Sequence, residues 1–254
     1  PNMSTAEILT VGSELTEGIK TNTNATWLAK KITSEGVQVI RITSVSDEPE
    51  HIIAAVREGF AQKPNLLIIT GGLGPTPDDR TLGALAQATS RRLSLDRNAL
   101  GLVRKSYSRM QIGGLIKSKK ITPARKKMAY LPKGAKLLSN PVGAAPGVQL
   151  KCDETIIICL PGVPAEMRAI FKQHIKGELS EIGERVRSTA ELSFRDTDES
   201  SLAPLLTQLP QKFPGIEVRS YPSKNRVRIV ILAASAKKAR AAKEALSKLV
   251  QELR

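Results

Sequence analysis

The chain has 254 residues, 41% of them hydrophobic and 25% charged, with a formal net charge of +15 at pH 7. That length exceeds one minimal core and suits one large or two modest domains, and the lack of any run of ~18 apolar residues excludes a membrane-spanning helix. The excess of Lys and Arg predicts an anionic partner, whereas two cysteines, Cys152 and Cys159, make neither a disulfide framework nor a zinc site.

Pro1 and Asn2 ahead of Met3 read as added residues. Glu7 and Glu14 bracket the early apolar run ILTVG, so no signal peptide is predicted and the cytoplasm is expected. AEILTVG, VQVIRITSVS and NLLIITGG are short, apolar and β-branched and predict strands, while TNATWLAKKITSEG and EPEHIIAAVREGFAQ carry apolar residues at helical spacing. Asn22, Thr23 or Asn24 can cap the first helix, and Gly36 is its expected αL stop. Alternation of this kind predicts a parallel sheet with helices on its faces, and such sheets bind ligands beyond the carboxyl ends of their strands.

Two segments fall on that edge: GSELTEG at 12–18, after the first strand, and TGGLGPTPDD at 70–79, closing the third. Glycine lets main-chain N–H groups come close to a ligand phosphate. The adjacent carboxylates of Asp78 and Asp79 suggest a metal ion between protein and phosphate. The same residues also fit a plain strand-to-helix turn with Asp78 as helix N-cap.

The stretch from about Leu82 to Met128 is mostly helical by pattern, and between Arg91 and Lys127 it carries 12 Lys and Arg against the single acid Asp96. This cluster is a solvated face, a funnel for a phosphate-bearing small molecule, or a nucleic-acid surface. Nucleic-acid binders interleave aromatics with charge and only Tyr107 does so here, so nucleic acid is not expected. NPVGAAPG at 140–147 is either a loop of main-chain donors or a connector. ETIIICLPGVPAEMRAIF then predicts a buried strand, a turn and a helix from near Pro164 with Glu166 in its first turn. Cys159 is expected in the core, and His51 and His174 on the surface.

In their order, GSELTEG, NTNATWLAKKI, TGGLGPTPDDRT, NPVGAAPG and LPGVPAEM resemble the N-terminal domain of the CinA (competence/damage-inducible) family, within the wider molybdopterin-binding domains that include MogA and MoaB. The likeness covers roughly residues 5 to 172. It implies a three-layer α/β domain with a mainly parallel sheet over 5–175. The last ~80 residues, 180–254, read β-α-β-β-α with DTDES at a helix start, similar to the KH-type domain that the family carries there. No GxxG loop follows Lys176, so a structural or dimer-forming role is preferred over RNA binding. Between the two domains GELSEIGER (177–185) is expected to be a protease-sensitive linker. Family members of full length continue into a nicotinamide-nucleotide amidase domain, which is absent from this sequence.

The resemblance implies a metal-dependent pyrophosphatase acting on ADP-ribose or a dinucleotide such as FAD, or else a molybdopterin-binding module without hydrolysis. The partner is then a phosphate-bearing small molecule, the cofactor a divalent ion (Mg, Mn or Co), and the assembly a homodimer. By the family motifs, Gly71, Gly72 and Gly74 approach phosphate. Asp79 takes the acidic role at the metal, and Asp78 is a further ligand or a cap. Glu14 binds metal or holds its loop, and Asn22 and Asn24 contact substrate or cap. Lys127 neutralises a diphosphate, and Asn140 and Gly143 belong to the substrate-binding loop. Ala144 stands where threonine is usual, which removes one hydroxyl donor.

Overall fold

The computed structural model describes residues 4–182 and 188–252. The chain divides into two compact units, Pro1–Glu184 and Arg185–Arg254. In the first unit β1 (Thr5–Val11), α1 (Ser13–Thr16), α2 (Thr23–Ser34), β2 (Gln38–Val45), α3 (Pro49–Ala61) and β3 (Leu66–Thr70) follow the predicted alternation. After them come α4 (Thr81–Ala88), β4 (Leu93–Leu95), α5 (Arg97–Ile112), α6 (Pro123–Lys127), β5 (Tyr130–Pro132), β6 (Lys136–Leu138), β7 (Gly147–Cys152) and β8 (Thr155–Leu160). The unit closes with α7 (Pro164–Ile170), a π-helical turn (Phe171–Ile175) and α8 (Lys176–Ile182).

Six strands make one sheet in the order β2-β1-β3-β8-β7-β6. The first four run parallel, and β7 and β6 are antiparallel to their neighbours. The fold is thus α/β with a mainly parallel central sheet, as predicted. LLIIT and TIIICL occupy central positions covered on both faces, which is why they read as unbroken apolar runs rather than alternating ones. Along β1 and β3 successive side chains supply opposite cores: Leu9 and Ile69 pack with Leu85 and Val103, while Ile8 and Ile68 pack with Leu28, Ile32 and Phe171. Asn22 caps α2 by accepting from Ala25 N at 3.1 Å, and Gly36 follows with φ 84°.

The stretch 82–128 is mostly helical, as expected, in α4, α5 and α6; it is interrupted by β4, which pairs antiparallel with β5, and α5 stops at Gly113, followed by Gly114 with φ 70°. One expectation about the end of this unit requires correction: much of GELSEIGER is not a linker. Gly177 lies inside α8, because Ile175 and Leu179, both 1% exposed, are spaced one turn apart and bury that helix face. Residues 183–187 of the expected cleavage region lie outside the described residues.

One charge sits inside the sheet. Glu7 on β1 is 3% exposed, and its Oε2 accepts from Arg41 Nε and Nη2 of β2 at 3.0 and 2.8 Å. Arg41 in turn reaches Glu58 at 2.7 Å. Arg41→Met keeps the apolar stem but leaves a buried carboxylate unpaired, so urea unfolding should show a loss of about 3 kcal/mol. Adding Glu7→Gln should recover most of that loss.

The second unit comprises β9 (Ser188–Arg195), α9 (Glu199–Lys212), β10 (Glu217–Ser223), β11 (Arg226–Ala233) and α10 (Ala236–Glu252), with an antiparallel sheet in the order β10-β11-β9. Asp198 of DTDES caps α9, accepting from Ser201 N at 2.9 Å. Leu202, Leu209, Ile229, Ile231 and Leu246 form its core. Among the described residues no helix is long and apolar enough to cross a membrane.

Candidate functional site

The loops after β1, β3 and β8 leave the carboxyl edge of the parallel strands, and the loop after β6 joins them because β6 runs in the same sense as β8. Together they border an open cavity of about 740 Å³. A smaller pocket of about 150 Å³ shares Glu14, Lys20 and Gly162 with it, and Asn22 and Asn24 line that pocket. A third, of about 290 Å³, lies across the glycine turn and contains Lys127.

The turn after β3 is built for close approach. Gly71 N donates to Leu160 O at 3.0 Å, and Thr81, fully buried, donates its hydroxyl to Gly71 O at 2.8 Å while its N–H reaches Gly72 O at 3.2 Å. Gly71 has φ 108°, and a Cβ there would lie 2.1 Å from Val11 O. Thr81 therefore holds the turn from behind, a role that the Asp-x-Thr spacing carried but that the residue types alone did not express.

Neither aspartate caps α4, whose N-cap position is Arg80 with no side-chain cap. The N-cap expectation for Asp78 is corrected: the chain makes one further turn first. Asp79 Oδ2 accepts from Thr76 N at 2.8 Å and Thr76 Oγ1 at 2.6 Å, closing that turn. The Thr76 hydrogen bond, with help from Lys127 and Arg80, holds the Asp78 carboxyl below the usual range. Lys127 donates from Nζ to Thr76 O, so it braces the turn from the side away from the main cavity.

Both asparagines of NTN are engaged. Asn22, besides capping, donates to Thr10 Oγ1 at 2.9 Å and Ser44 Oγ at 3.1 Å. Asn24 Nδ2 donates to Gly162 O at 2.8 Å, while its Oδ1 is buried without a hydrogen-bond partner. Glu14 on α1 lies 3.6 Å from Lys20 Nζ and packs against Gly12. Asp47, from the β2–α3 loop, accepts from Ser13 N at 2.7 Å and also lines the large cavity.

Asn140 organises the NPVGAAPG loop. Its Oδ1 accepts from Val142 N and Gly143 N at 3.0 and 2.7 Å, and its Nδ2 donates to Ala145 O at 2.8 Å and Glu166 Oε2 at 2.6 Å. Gly143 lies so close to Glu166 that a Cβ would fall 1.9 Å from the carboxylate. Glu166, seen in the sequence only as a first-turn acid, is therefore part of the site. Its role was illegible there because its partner is 26 residues away.

Burial pushes the Glu166 carboxyl up, opposed by the Asn140 hydrogen bond. A raised native value means that the folded chain keeps a proton where the unfolded chain has released it. This stabilisation is therefore full at low pH and lost as pH rises through that window. Glu166→Gln, which is always neutral and still accepts from Asn140, should melt with the parent near pH 4 and a few degrees above it near pH 8. Thermal melts at the two pH values test this.

Five carboxylates (Glu14, Asp47, Asp78, Asp79 and Glu166) line the large cavity against two cations, Lys20 and Arg125. Among the described residues no three His, Cys, Asp or Glu side chains gather closely enough to hold a metal ion alone. The donor set instead fits a hard cation carried by one or two carboxylates and completed by water and ligand phosphate, the habit of Mg²⁺. The cavity also has an apolar lining of Tyr107, Met110, Ile116 and Met128, with the Arg125 guanidinium 3.9 Å over the Tyr107 ring. So part of the basic segment belongs to the site, although through packing as much as charge.

The chain matches the family model described as "Probable molybdopterin binding domain" over residues 7–181. A protein of Pyrococcus furiosus is 43% identical over 217 residues, 85% of this chain and 84% of that one. One of Aeropyrum pernix is 39% identical over 262 residues, covering 98% of this chain and 94% of its own. A crystal structure of a protein from Thermoplasma acidophilum, described as CinA with unknown function, is 34% identical with a TM-score of 0.62, and covers 71% of this chain and 100% of that chain. The family model spans well over half of the sequence and every one of the motifs on the carboxyl edge, and this chain belongs to the family of probable molybdopterin binding domains.

Proposed function

We propose that the first unit binds a phosphate-bearing pterin or nucleotide, as a molybdopterin-type binding module of CinA-like lineage. The observation that carries this reading is the mixed lining of the cavity. A glycine turn with no side chains at Gly72 and Gly74 lines it together with apolar Tyr107, Met110, Ile116 and Met128; the Gly71 amide, expected at phosphate, is instead spent on Leu160 O. Main-chain amides suit phosphate, and the apolar lining suits a flat heterocycle. Family membership supports the pterin, and the likeness to the Thermoplasma protein supports the CinA-like lineage.

A second reading, metal-dependent hydrolysis of the diphosphate of ADP-ribose or FAD, is favoured by one observation. A polyanion entering a cavity with five carboxylates and two cations needs a cation beside it. The ion would be held by Asp78 and Asp79 and would neutralise the phosphate. Calorimetric titration with molybdopterin, ADP-ribose and FAD, with and without Mg²⁺, Mn²⁺ or Co²⁺, and with AMP release followed in parallel, separates the readings. Micromolar binding without AMP is expected. Metal-dependent AMP release would favour hydrolysis, and no binding of any of the three would overturn both.

A further inference from the structure

Part of the basic segment stays outside the cavity. Between Asp96 and Asp153 the chain has no Asp or Glu, and the loop IGGLIKSKKIT (112–122) falls within that interval. Its main chain is tied down. Leu115 N donates to Met110 O at 2.9 Å, Gln111 Nε2 to Lys117 O at 3.1 Å, and Arg125, stacked on Tyr107, to Ser118 O and Lys120 O at 2.7 and 2.9 Å. Of its apolar side chains, Ile116 and Ile121 turn inward and pack against the core of the first unit. Ile112 and Leu115 do not: they are 88% and 78% exposed, more than any other large apolar residue among those described.

Cations accompany the pair. Lys117, Lys119 and Lys120 follow in the same loop, and Lys105 lies about two turns back from Ile112 on one stripe of α5, whose other face buries Ala99, Val103 and Tyr107. All four lysines are exposed, and among the described residues none of them forms an ion pair. The carboxylates Glu14, Asp47, Asp78, Asp79 and Glu166 line the cavity together with Ile116 and Arg125, whereas Ile112, Leu115 and the four lysines do not line it. The tip is thus fixed in conformation, apolar at its end and flanked by charge of one sign. Nucleic acid would offer it phosphate but no apolar layer for Ile112 and Leu115, and a second copy seated tip to tip would bring its own lysines against these.

We propose that this tip docks the chain on an anionic lipid bilayer, with Ile112 and Leu115 entering the boundary between headgroups and acyl chains and Lys105, Lys117, Lys119 and Lys120 at the lipid phosphates. Such a surface is negative outside and apolar just beneath, which matches the tip in both respects. Lysine suits the level between the two, because its apolar stem can lie against the acyl boundary while the ammonium stays with phosphate and water. Gly113 and Gly114 keep the tip narrow, and a Cβ at Gly114 would meet nothing within 4 Å. Two apolar side chains make a weak anchor, so attachment is reversible and depends on the lysines as well. The proposal stands apart from the ligand of the cavity and holds for either reading of it. The sequence showed the excess of cations but not which of the apolar residues in IGGLIKSKKIT face outward.

Co-sedimentation of the full chain with lipid vesicles tests this at about 0.1 M salt, where exposed charges act over ~10 Å. Binding is expected to vesicles of phosphatidylglycerol and phosphatidylcholine in equal parts, weakening as salt is raised, and at least about tenfold weaker binding to phosphatidylcholine alone. Lys119→Glu with Lys120→Glu should weaken binding to the anionic vesicles at least about tenfold, since each lysine near such a surface is worth about a factor of five. Ile112→Ser with Leu115→Ser should also weaken it about tenfold and leave the melting temperature at the parent's, because both side chains already stand in water. A purely electrostatic surface would respond to the first pair and not to the second. Ile42→Ser is the control: Ile42 is 48% exposed on β2 beside Ile8 of the other core, and its loss should not alter vesicle binding. The proposal is overturned by no binding to the anionic vesicles, by equal binding to the neutral ones, or by parental binding in either double variant. Tighter binding of a labelled oligo-uridine through the same lysines would also overturn it, as would sedimentation showing that Ile112→Ser with Leu115→Ser dissolves an oligomer of the chain.

Discussion

Gly71→Ala is expected to lower the stability of the first unit by about 4 kcal/mol and its melting temperature by about 10 °C, and to abolish ligand binding. The backbone there has φ 108°, where an L side chain is strained, and the added Cβ would sit 2.1 Å from the Val11 carbonyl oxygen. That oxygen belongs to β1, a strand hydrogen-bonded on both sides, so the obstacle cannot rotate away as a side chain would. Relief requires the turn to lift. Lifting breaks the bond from Gly71 N to Leu160 O and the one from Thr81 Oγ1 to Gly71 O, two ties of 3.0 and 2.8 Å that fix the cavity floor. Gly83→Ala is the matched control: it lies within α4 with open space around its Cβ and should be neutral or stabilising by up to about 1 kcal/mol. Calorimetry of the two variants checks the pair. A Gly71→Ala chain that melts with the parent would mean that the turn is not the rigid element described above.

The contrast between these glycines also marks what the sequence could convey. Local patterns found β1 to β3, α2, α3, β8 and α7, because each is specified by its own apolar period and its own cap, Asn22 and Pro164 among them. They also placed GSELTEG and the glycine turn on one edge, since the carboxyl ends of parallel strands share it, but left NPVGAAPG as either a loop of donors or a connector. What they could not express were relations across the chain. Glu7 counted in the sequence only as a charge beside the apolar run ILTVG, and its pairing with Arg41, 34 residues on, was illegible there. Glu166 looked like a helix-start acid until it met Asn140, and Lys127 looked like a phosphate ligand until its ammonium was found on Thr76. Within the mostly helical stretch 82–128 the strand β4 was not legible, because a three-residue strand with an exposed face carries too little pattern, and its partner β5 lies beyond Met128.

Asp79→Asn separates the two roles that the structure leaves in one carboxylate. Its Oδ2 closes a turn by accepting from Thr76 N and Oγ1, and an asparagine oxygen can accept the same two bonds, so the turn and the melting temperature should survive within about 1 kcal/mol. What asparagine removes is the charge. If a divalent ion sits between Asp79 and the ligand phosphate, affinity measured with Mg²⁺ should fall by about tenfold or more while affinity without metal changes little. If the site also hydrolyses a diphosphate, turnover should fall about 10²-fold, the scale on which one preorganised electrostatic group matters. Asp78→Asn should have the smaller effect, because Asp78, though ionised below the usual range, is fully exposed to solvent that screens it. Asp79→Ala supplies the contrast, losing the turn bonds as well and melting lower than either asparagine variant. Parental affinity for Mg²⁺ and ligand in Asp79→Asn, alongside a lowered melting temperature in Asp79→Ala, would assign the residue to the turn alone and leave the cation to Glu14, Asp47, Asp78 or Glu166 on the other walls of the cavity.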